Sequence, residues 1–434
     1  MPLLSALRQP ALLALALLSA LAGCATTEEG TRSDEPYDVP ATPGLTLSRP
    51  ADFVRTIQLY RTGDEGSLPI LPLSSGQTLT LEFDLLADFG EPFSVYFYHA
   101  DRQWQRDLLP VEFLKTFQSD DILDYEPSLA TEVRYSHYEY EFPNQNIQFL
   151  RSGNYILRVT DPGDERAVLF EQAFFVTEQA AEVDFTVRSG LGSATYFQPI
   201  ARLRPPDAFD SPVYDYNVCF VRNGRIAVPR CAADPTLVGG SLFEFLLPRE
   251  TAFTLEGPLY ELDLSYLQPG PQVVDVSLDT SPYAVTLDLD YARFGGDLFD
   301  RDLTGRTLVS TVVQDAPGPA DIGAEYVQAL FRFVPQNEQP AAGPVVLTGS
   351  FNDWAVDPAY ELLWNAAEGR YEAEVLIKQG RYVYQYYVDD PAERERIRRS
   401  AGLGQPNLYT AFVYLYDPSY NTDRLLAVTN ILGQ

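Results

Sequence analysis

Short segments in which apolar and polar residues alternate recur along the chain, and they determine its predicted fold. Alternation with a period of two is typical of half-buried β-strands. In the first block it predicts strands at 54–60, 79–84, 93–98, 134–142, 154–160 and 173–176. Turn pairs such as Ser75-Gly76 and Ser152-Gly153 precede two of these strands. Short strands at such intervals predict a β-sandwich, with one helical turn at 110–114.

Two further blocks show the same strand-and-turn pattern. The second block predicts strands at 184–187, 213–221, 241–247, 260–264, 273–278 and 284–289. The third predicts strands at 326–334, 344–348, 371–377, 382–388 and 408–416, with a charged helical turn at 393–400. We therefore predict an all-β protein in which three immunoglobulin-like β-sandwich domains follow one another in series, at 51–180, 181–322 and 323–434.

The N-terminal segment has the pattern of an export signal. Residues 11–20 are apolar apart from Ser19, a run too short for a membrane-spanning helix. The ending Leu21-Ala22-Gly23-Cys24 resembles a bacterial lipobox. It implies a lipoprotein signal peptide at 1–23, lipidation of Cys24 and, because Ala25 follows, transfer to the outer membrane. The alternative is an ordinary signal peptide with a cysteine nearby. Residues 24–50 are polar and acidic, and are predicted to form a disordered tether.

Composition limits the partners that the chain can have. The formal net charge is −30, and without residues 1–23 the chain has 30 basic and 61 acidic side chains. Such a charge argues against a general nucleic-acid binder, which needs a basic face. Lys115 and Lys378 are the only lysines; the other basic residues are arginines. This surface fits a host that works at high salt, or equally a genome that prefers arginine codons.

Cys219 and Cys231 are the two cysteines that the lipobox does not account for. An oxidising periplasm would allow them to form a disulfide. They flank Asn223-Gly224, a pair that predicts a hairpin turn. A two-residue turn there would place position 228 opposite Cys219, so a disulfide requires a bulge or a longer loop. The sequence leaves both the bonded and the free state open.

Residues that could carry catalysis are few. His99 and His137 are the only histidines, and neither stands in a metal-binding or nucleophile motif. His99 is interpreted as a ring that hydrogen-bonds and packs at the end of a strand. The acids at 120, 121, 124 and 126 could bind calcium or form a solvated turn, and the EF-hand spacing is absent. We therefore predict no enzyme activity, no metal and no cofactor.

Several segments of the first block together carry a family resemblance. They are His99-Ala-Asp101-Arg-Gln-Trp104, Asp124-Tyr125-Glu126-Pro127-Ser128, Tyr135-Ser-His137-Tyr138, Phe142-Pro143-Asn144 and Ser152-Gly153-Asn154-Tyr155. In this order and spacing they resemble the plug protein of the bacterial type IX secretion system. The segments at 376–386, 413–416 and 423–425 resemble the end of the same family. The motif residues are interpreted as structural: His99, Asp101, Trp104, Asp124, Tyr125, His137, Tyr138, Pro143, Asn144, Gly153 and Tyr155.

The third block carries a second resemblance. The segments at 346–354, 380–384 and 387–389 are similar to the glycogen-binding early-set modules attached to starch-branching enzymes and kinase subunits. Such modules stack two tryptophans on sugar rings. Here Trp354 is present, the second tryptophan is missing, and Gln385 stands where a lysine is expected. Trp354 and Tyr382 are the candidate carbohydrate-binding residues, but the block is interpreted as this fold without its ligand.

The plug-family resemblance implies a function. It predicts a non-enzymatic plug that closes the periplasmic side of the outer-membrane β-barrel translocon when no cargo is present. The expected partners are that translocon and, through the lipid on Cys24, the membrane; no nucleic acid and no small-molecule substrate are expected. The protein is placed at the periplasmic face of the outer membrane, with its aromatic-rich first block as the predicted contact. The alternative is an outer-membrane glycan-binding lipoprotein that uses the third block.

Overall fold

The computed structural model describes residues 45–433 apart from 191–194, 206–210, 236, 240–241, 256, 293–317, 337 and 401–406. The predicted signal peptide, Cys24 and most of the predicted tether therefore lie outside the described residues. The last part of that tether, 45–50, is packed against the folded chain. Leu45 and Leu47 contact a buried apolar cluster, and the Ser48 amide and hydroxyl both donate to Glu171.

The first nine strands include all six that the alternation of the first block predicts, together with three short strands that it does not predict. They are β1 (Val54–Arg61), β2 (Ile70–Pro72), β3 (Leu79–Leu85), β4 (Phe93–Ala100), β5 (Ser119–Ile122), β6 (Tyr125–Pro127), β7 (Ser136–Phe142), β8 (Gly153–Thr160) and β9 (Val168–Thr177), with helix α1 (Pro110–Phe113) between β4 and β5. One sheet has the order β1-β3-β7-β6 and the other β2-β9-β8-β4-β5. Apolar side chains of both sheets, such as Phe83, Phe97 and Phe174, form one core. This sandwich is the N-terminal domain.

The remaining strands are shorter or less regularly spaced. They are β10 (Glu182–Gly190), β11 (Tyr196–Arg204), β12 (Tyr216–Arg222), β13 (Arg230–Ala232), β14 (Leu237–Gly239), β15 (Leu242–Leu246), β16 (Phe253–Thr254), β17 (Tyr260–Asp263), β18 (Val273–Ser277), β19 (Tyr283–Tyr291), β20 (Tyr326–Val334), β21 (Val345–Gly349), β22 (Glu361–Asn365), β23 (Arg370–Lys378), β24 (Arg381–Val388), β25 (Asn407–Asp417) and β26 (Thr422–Gly433). Two further helices are α2 (Ala320–Gly323) and α3 (Pro391–Ser400), and 3₁₀ turns lie at Val213–Asp215, Ser350–Asn352 and Pro358–Tyr360.

The sheets divide this part of the chain differently from the predicted boundary at 322. The second domain combines the sheet β10-β11-β15-β14, in which β16 also pairs with β11, with the sheet β13-β12-β25-β26. Its core joins Phe197, Phe220 and Phe245 to Val413 and Leu426. The third domain is the path β17-β24-β21-β22-β23-β20-β19-β18 around its own core. It is inserted between strands of the second domain, so these two domains do not follow one another in series.

The physical reason lies in β12 and β25, which pair from Tyr216↔Leu415 to Arg222↔Tyr409. Every residue of β12 is buried, because one face packs in the second domain and the other against the N-terminal domain. A strand that is buried on both faces needs a hydrogen-bonded neighbour on each edge. β25, which comes much later in the chain, is one of the two neighbours of β12. Within the described ranges, none of the helices has the length and apolar character that a bilayer crossing requires.

Cys219 and Cys231 lie opposite each other in the β12–β13 register, and their sulfur atoms are bonded. Asn223 and Gly224 form the turn with positive φ at both residues. The chain does not pair again until residue 230, so the connection 223–229 is the longer loop that a disulfide requires.

Candidate functional site

A buried carboxylate lies where the N-terminal domain meets the third domain. Leu81, Phe83 and Leu85 of β3 point into the sandwich core. The alternate residues of β3, Glu82 and Asp84 among them, lie on the outer face of the sheet but are also buried. Strands and loops of the third domain cover this face. We call the contact around Asp84 the charged junction.

Asp84 accepts hydrogen bonds from both domains. Its Oδ1 atom lies 2.8 Å from Nδ1 of His137, its register partner on β7. Its Oδ2 atom accepts from the Lys378 ammonium and the Tyr326 hydroxyl, both at 2.7 Å. Lys378 ends β23 and Tyr326 begins β20, so one carboxylate holds two strands of the third domain. The Tyr326 hydroxyl also lies 2.5 Å from Oγ1 of Thr56 on β1.

The charges of the charged junction compensate one another. Burial alone would raise the pKa of Asp84, but the Lys378 ammonium and the His137 ring hold that pKa below its ordinary value. Burial alone would lower the pKa of His137, but its hydrogen bond to Asp84 and the charge of Asp84 raise it overall. Burial and the nearby Asp84 charge raise the pKa of Tyr326 well above its ordinary value, so the hydroxyl stays a donor. A buried charge that is paired and hydrogen-bonded in this way is costly to disrupt.

Backbone contacts extend the charged junction. The Tyr135 hydroxyl donates to the Ala324 carbonyl at 2.8 Å, and its ring lies 4.3 Å from the Lys378 nitrogen. The Glu325 carboxylate accepts from the amides of Glu132 and Val133. Segments 135–138 and 376–386, both noted in the sequence for their family resemblance, therefore meet here.

One group in the charged junction has the donor atoms of a metal site, which the sequence did not predict. Ligand atoms of Glu82, His137 and Asp321 lie within 4.8 Å of one another. Glu82 also accepts a 2.6 Å hydrogen bond from Tyr60. Burial raises the pKa of Glu82 to about 7, and the Tyr60 hydrogen bond opposes that rise. The sequence contained no sign of this group, because its members lie on β3, β7 and α2, far apart in the chain.

A second contact joins the N-terminal domain to the sheet β13-β12-β25-β26, and we call it the apolar junction. Trp104 packs on Phe175 with ring centres 5.4 Å apart, and Phe175 packs on Phe412 at 4.5 Å. Tyr414 donates to the Asn154 side chain at 2.8 Å. This contact belongs to a continuous cluster of buried side chains from both domains.

Ion pairs surround the apolar junction. The Arg102 guanidinium lies 2.6 Å from Asp423, and Arg424 forms a two-pronged contact with Glu178 at 2.8 and 2.6 Å. The Asp107 carboxylate accepts from Thr422 and lies 2.7 Å from Nδ1 of His99. The other ring nitrogen of His99 donates to the Ser152 carbonyl at 3.1 Å. Segments 99–104, 152–155 and 423–425 therefore meet at this junction.

The other motif residues lie within the N-terminal domain. Asp101 accepts from the amides of Gln103 and Gln105, and burial raises its pKa. Asn144 follows a cis Phe142-Pro143 bond; its Oδ1 accepts from two amides and its Nδ2 donates to Asp120. The remaining contacts fix turns and aromatic rings. Tyr138 donates to the Glu91 carbonyl and packs on Tyr125, and Tyr155 donates to the Arg151 carbonyl. The backbone carbonyl of Asp124 accepts from the Glu139 amide, and Gly153 lies against His99.

The N-terminal domain also has a surface rich in exposed apolar side chains. Residues 109–117 run beside 146–150, joined by backbone hydrogen bonds from Lys115 to Gln148 and from Leu150 to Phe113. Four apolar side chains on these two segments are exposed: Leu109, Val111, Phe117 and Leu150. We call this surface the exposed apolar segment. An apolar surface of this kind marks a contact site more often than chance.

The two predicted sugar-binding residues do not form a platform. Tyr382 is 2% exposed and donates to the Lys378 carbonyl, so neither ring face is open to a sugar. Trp354 is half-buried, packs near Leu259 and Val383, and has the Arg225 guanidinium 3.9 Å from its ring centre. The turn holding Trp354 is closed by a hydrogen bond from its amide to the Gly349 carbonyl.

Part of the chain matches a known protein family. Residues 54–178 match the family described as the type 9 secretion system plug protein first domain. The matched range coincides with the N-terminal domain and confirms the plug-family resemblance predicted from the sequence. No curated protein matches the sequence. The resemblance of the third block to glycogen-binding modules stays a prediction.

Solved structures share the fold. The crystal structure of a hypothetical protein from Parabacteroides merdae ATCC 43184 aligns with a TM-score of 0.80 at 23% identity, covering 90% of this chain and 100% of that one. This likeness supports the predicted all-β, multi-domain architecture. A structure of manganese lipoxygenase of Gaeumannomyces graminis, with part of zonadhesin of Komagataella pastoris, reaches a TM-score of 0.13 at 7% identity over 88% of this chain and 93% of that one.

Proposed function

We propose that this protein is the plug itself. Its residues 54–178 match the type IX secretion plug family, and this match supports a role of the chain in type IX secretion. The plug closes the periplasmic side of the outer-membrane β-barrel translocon when no cargo is present. The match of the N-terminal domain is the observation that carries this proposal. The function is mechanical, and it needs a body that keeps its shape and a surface that can bind and release.

The two junctions give the body its stiffness. A closure over a pore wide enough for folded cargo would leak if its domains moved independently. Domain interfaces that are small and polar allow such motion, whereas large apolar ones suppress it. Here the apolar junction continues the hydrophobic packing between domains, and Asp84 of the charged junction binds Lys378 and Tyr326 across the domain boundary.

The exposed apolar segment is our proposed contact with the barrel. It belongs to the domain that carries the family match, and its Val111 side chain is 81% exposed. A contact made by a few apolar side chains has the character of a releasable interface rather than a permanent one. The lipid proposed on Cys24 would keep a released plug close to the membrane, through a tether that ends at Leu45.

The test is affinity purification of the tagged chain from gently solubilised outer membranes, with co-purified chains identified by mass spectrometry. We expect stoichiometric recovery of a large β-barrel protein, strongest when cargo is depleted. Val111→Asp should reduce that recovery at least tenfold. Leu363→Asp is the matched control, because Leu363 is also exposed (73%) but lies on β22 of the third domain.

Two results would contradict the proposal. Recovery of the chain alone, from cells that contain the barrel, would remove the plug function. Recovery that Val111→Asp and Leu363→Asp reduce equally would move the contact away from the exposed apolar segment. Protease treatment of intact cells should leave the protein uncut, and efficient cleavage would contradict its periplasmic position.

A further inference from the structure

We propose that Glu82, His137 and Asp321 bind one first-row divalent cation at the charged junction, with Zn²⁺ as the best chemical match. Their donor atoms converge within 4.8 Å of one another. Structural and catalytic zinc sites use imidazole nitrogen and carboxylate oxygen at about 2.0–2.2 Å from the metal. A small inward movement of three side chains would bring these atoms to that distance.

The ring of His137 is oriented as a metal ligand. Its Nδ1 atom lies 2.8 Å from Oδ1 of the buried Asp84, which places the proton on Nδ1. Nε2 then carries the lone pair, and it makes no hydrogen bond within the described part of the chain. A carboxylate behind a histidine is the usual support of a zinc-binding imidazole, because it fixes the tautomer and increases the basicity of the ligand.

The carboxylate of Asp321 is also unengaged. Its backbone carbonyl accepts from Lys378 and Tyr135, which fixes the position of α2 against the N-terminal domain. Its side chain forms no hydrogen bond or ion pair among the residues that the structure describes. The backbone of Asp321 is therefore fixed in position, while its carboxylate remains available to bind another partner.

A neighbouring amide provides an independent observation. Gln58 of β1 lies directly opposite Glu82 in the strand register, so the two side chains share one face of the sheet. Gln58 is only 7% exposed, yet neither its amide oxygen nor its amide nitrogen has a hydrogen-bond partner. Buried amides without partners are rare in folded proteins. A cation beside Glu82, or its bound water, would give the Gln58 oxygen a partner.

The local charge favours a cation and its chemistry favours zinc. Lys378 neutralises Asp84, which leaves the carboxylates of Glu82 and Asp321 in excess. An imidazole in the ligand set suits Zn²⁺ better than Mg²⁺ or Ca²⁺, which prefer oxygen alone. Glu82 and His137 belong to the N-terminal domain and Asp321 to the third domain, so the metal would tie the two domains together.

The experiment measures Zn²⁺ binding to the purified full chain whose Cys24 sulfur is acylated or alkylated, so that no free thiol competes. We expect one Zn²⁺ per chain by elemental analysis after dialysis, and a rise in melting temperature of at least about 3 °C at saturating Zn²⁺. Co²⁺ in place of Zn²⁺ should show visible absorption bands of a bound, low-symmetry ion.

Asp321→Asn is the decisive variant, because the Asp321 carboxylate makes no hydrogen bond or ion pair among the described residues. The metal-free variant should therefore melt as the wild type does. It should weaken Zn²⁺ binding at least tenfold. Glu139→Gln is the matched control: Glu139 is also opposite Glu82 in the register but is exposed and outside the group. No Zn²⁺ bound by the wild type, or equal binding by Asp321→Asn and the wild type, would overturn the proposal. Equal losses of Zn²⁺ affinity in Asp321→Asn and Glu139→Gln would also overturn it, because the loss would then follow from removing any nearby negative charge.

Discussion

At the scale of single residues, buried acids lie at both domain junctions: Asp84 at the charged junction and Asp423 at the apolar junction. The sequence predicted His99 as a packed, hydrogen-bonding side chain and His137 only as a structural motif residue; each ring lies against a carboxylate, Asp107 or Asp84. It could not identify those carboxylates, because Asp84 occupies the polar position of an ordinary alternating strand. Whether such a position faces water depends on which domain covers the sheet, and nothing local in the sequence records that.

Asp290 gives the clearest pH dependence at this scale. Burial raises its pKa to about 6, although the hydroxyls of Tyr386 and Tyr384 donate to it at 2.6 and 2.8 Å and oppose the rise. Between its ordinary pKa of 3.8 and about 6, the unfolded chain has released the proton while the folded chain still holds it. Rising pH therefore lowers the free energy of unfolding across this range, by up to about 3 kcal/mol.

Asp290→Asn should remove this loss. The unfolding free energy of the variant minus that of the wild type is expected to rise from pH 4 to pH 6 and then level off. Chemical denaturation at several pH values measures it. Asp279→Asn, at an exposed position in the loop between β18 and β19, is the control and should give a flat difference. A flat line for both variants would show that Asp290 titrates normally.

At the scale of elements, the alternating pattern predicted strands whose apolar and polar residues alternate in the sequence, and it failed where a proline or consecutive polar residues interrupt that pattern. It predicted β1, β3, β20 and β24 almost to the residue. It missed β11, whose Pro199 argues against a strand, and β26, whose apolar residues are interrupted by Thr429 and Asn430. Both strands are specified by their partners: β26 pairs with β25 along its whole length. Pairing between distant strands has no local signature.

Gly153, where β8 begins, tests how tightly elements meet at the apolar junction. Its φ is +148°, and an added Cβ would lie 2.3 Å from Nε2 of His99. Gly153→Ala should therefore cost about 3 kcal/mol of unfolding free energy, from strain and crowding together. Gly163→Ala is the matched control, because its φ is also positive (+71°) but its Cβ would meet open space. It should cost about 1 kcal/mol. Equal costs in urea denaturation would show that His99 moves freely.

At the scale of the whole molecule, the domain order was the hardest feature to predict. The three blocks were visible as clusters of strands, but the return of β25 and β26 to the second domain was not. The family segments explain this arrangement afterwards, because segments 135–138 and 376–386 meet at the charged junction, and 99–104 and 423–425 at the apolar one. Motif segments that are far apart in the sequence therefore lie together at one interface.

Lys378→Met tests whether the charged junction makes the N-terminal and third domains one cooperative unit. The substitution keeps most of the side-chain volume but leaves the buried Asp84 without its cation, at a cost of about 3–5 kcal/mol. Because Asp84 and Lys378 lie on different domains, the loss should appear as separation of one unfolding transition into two in calorimetry. Lys115→Met, at the only other lysine and on an exposed position, should stay within about 0.5 kcal/mol of the wild type. If Lys378→Met loses stability but still unfolds in a single transition, contacts other than the buried ion pair couple these two domains. In that case the stiffness proposed for the plug would not depend on the buried ion pair of the charged junction.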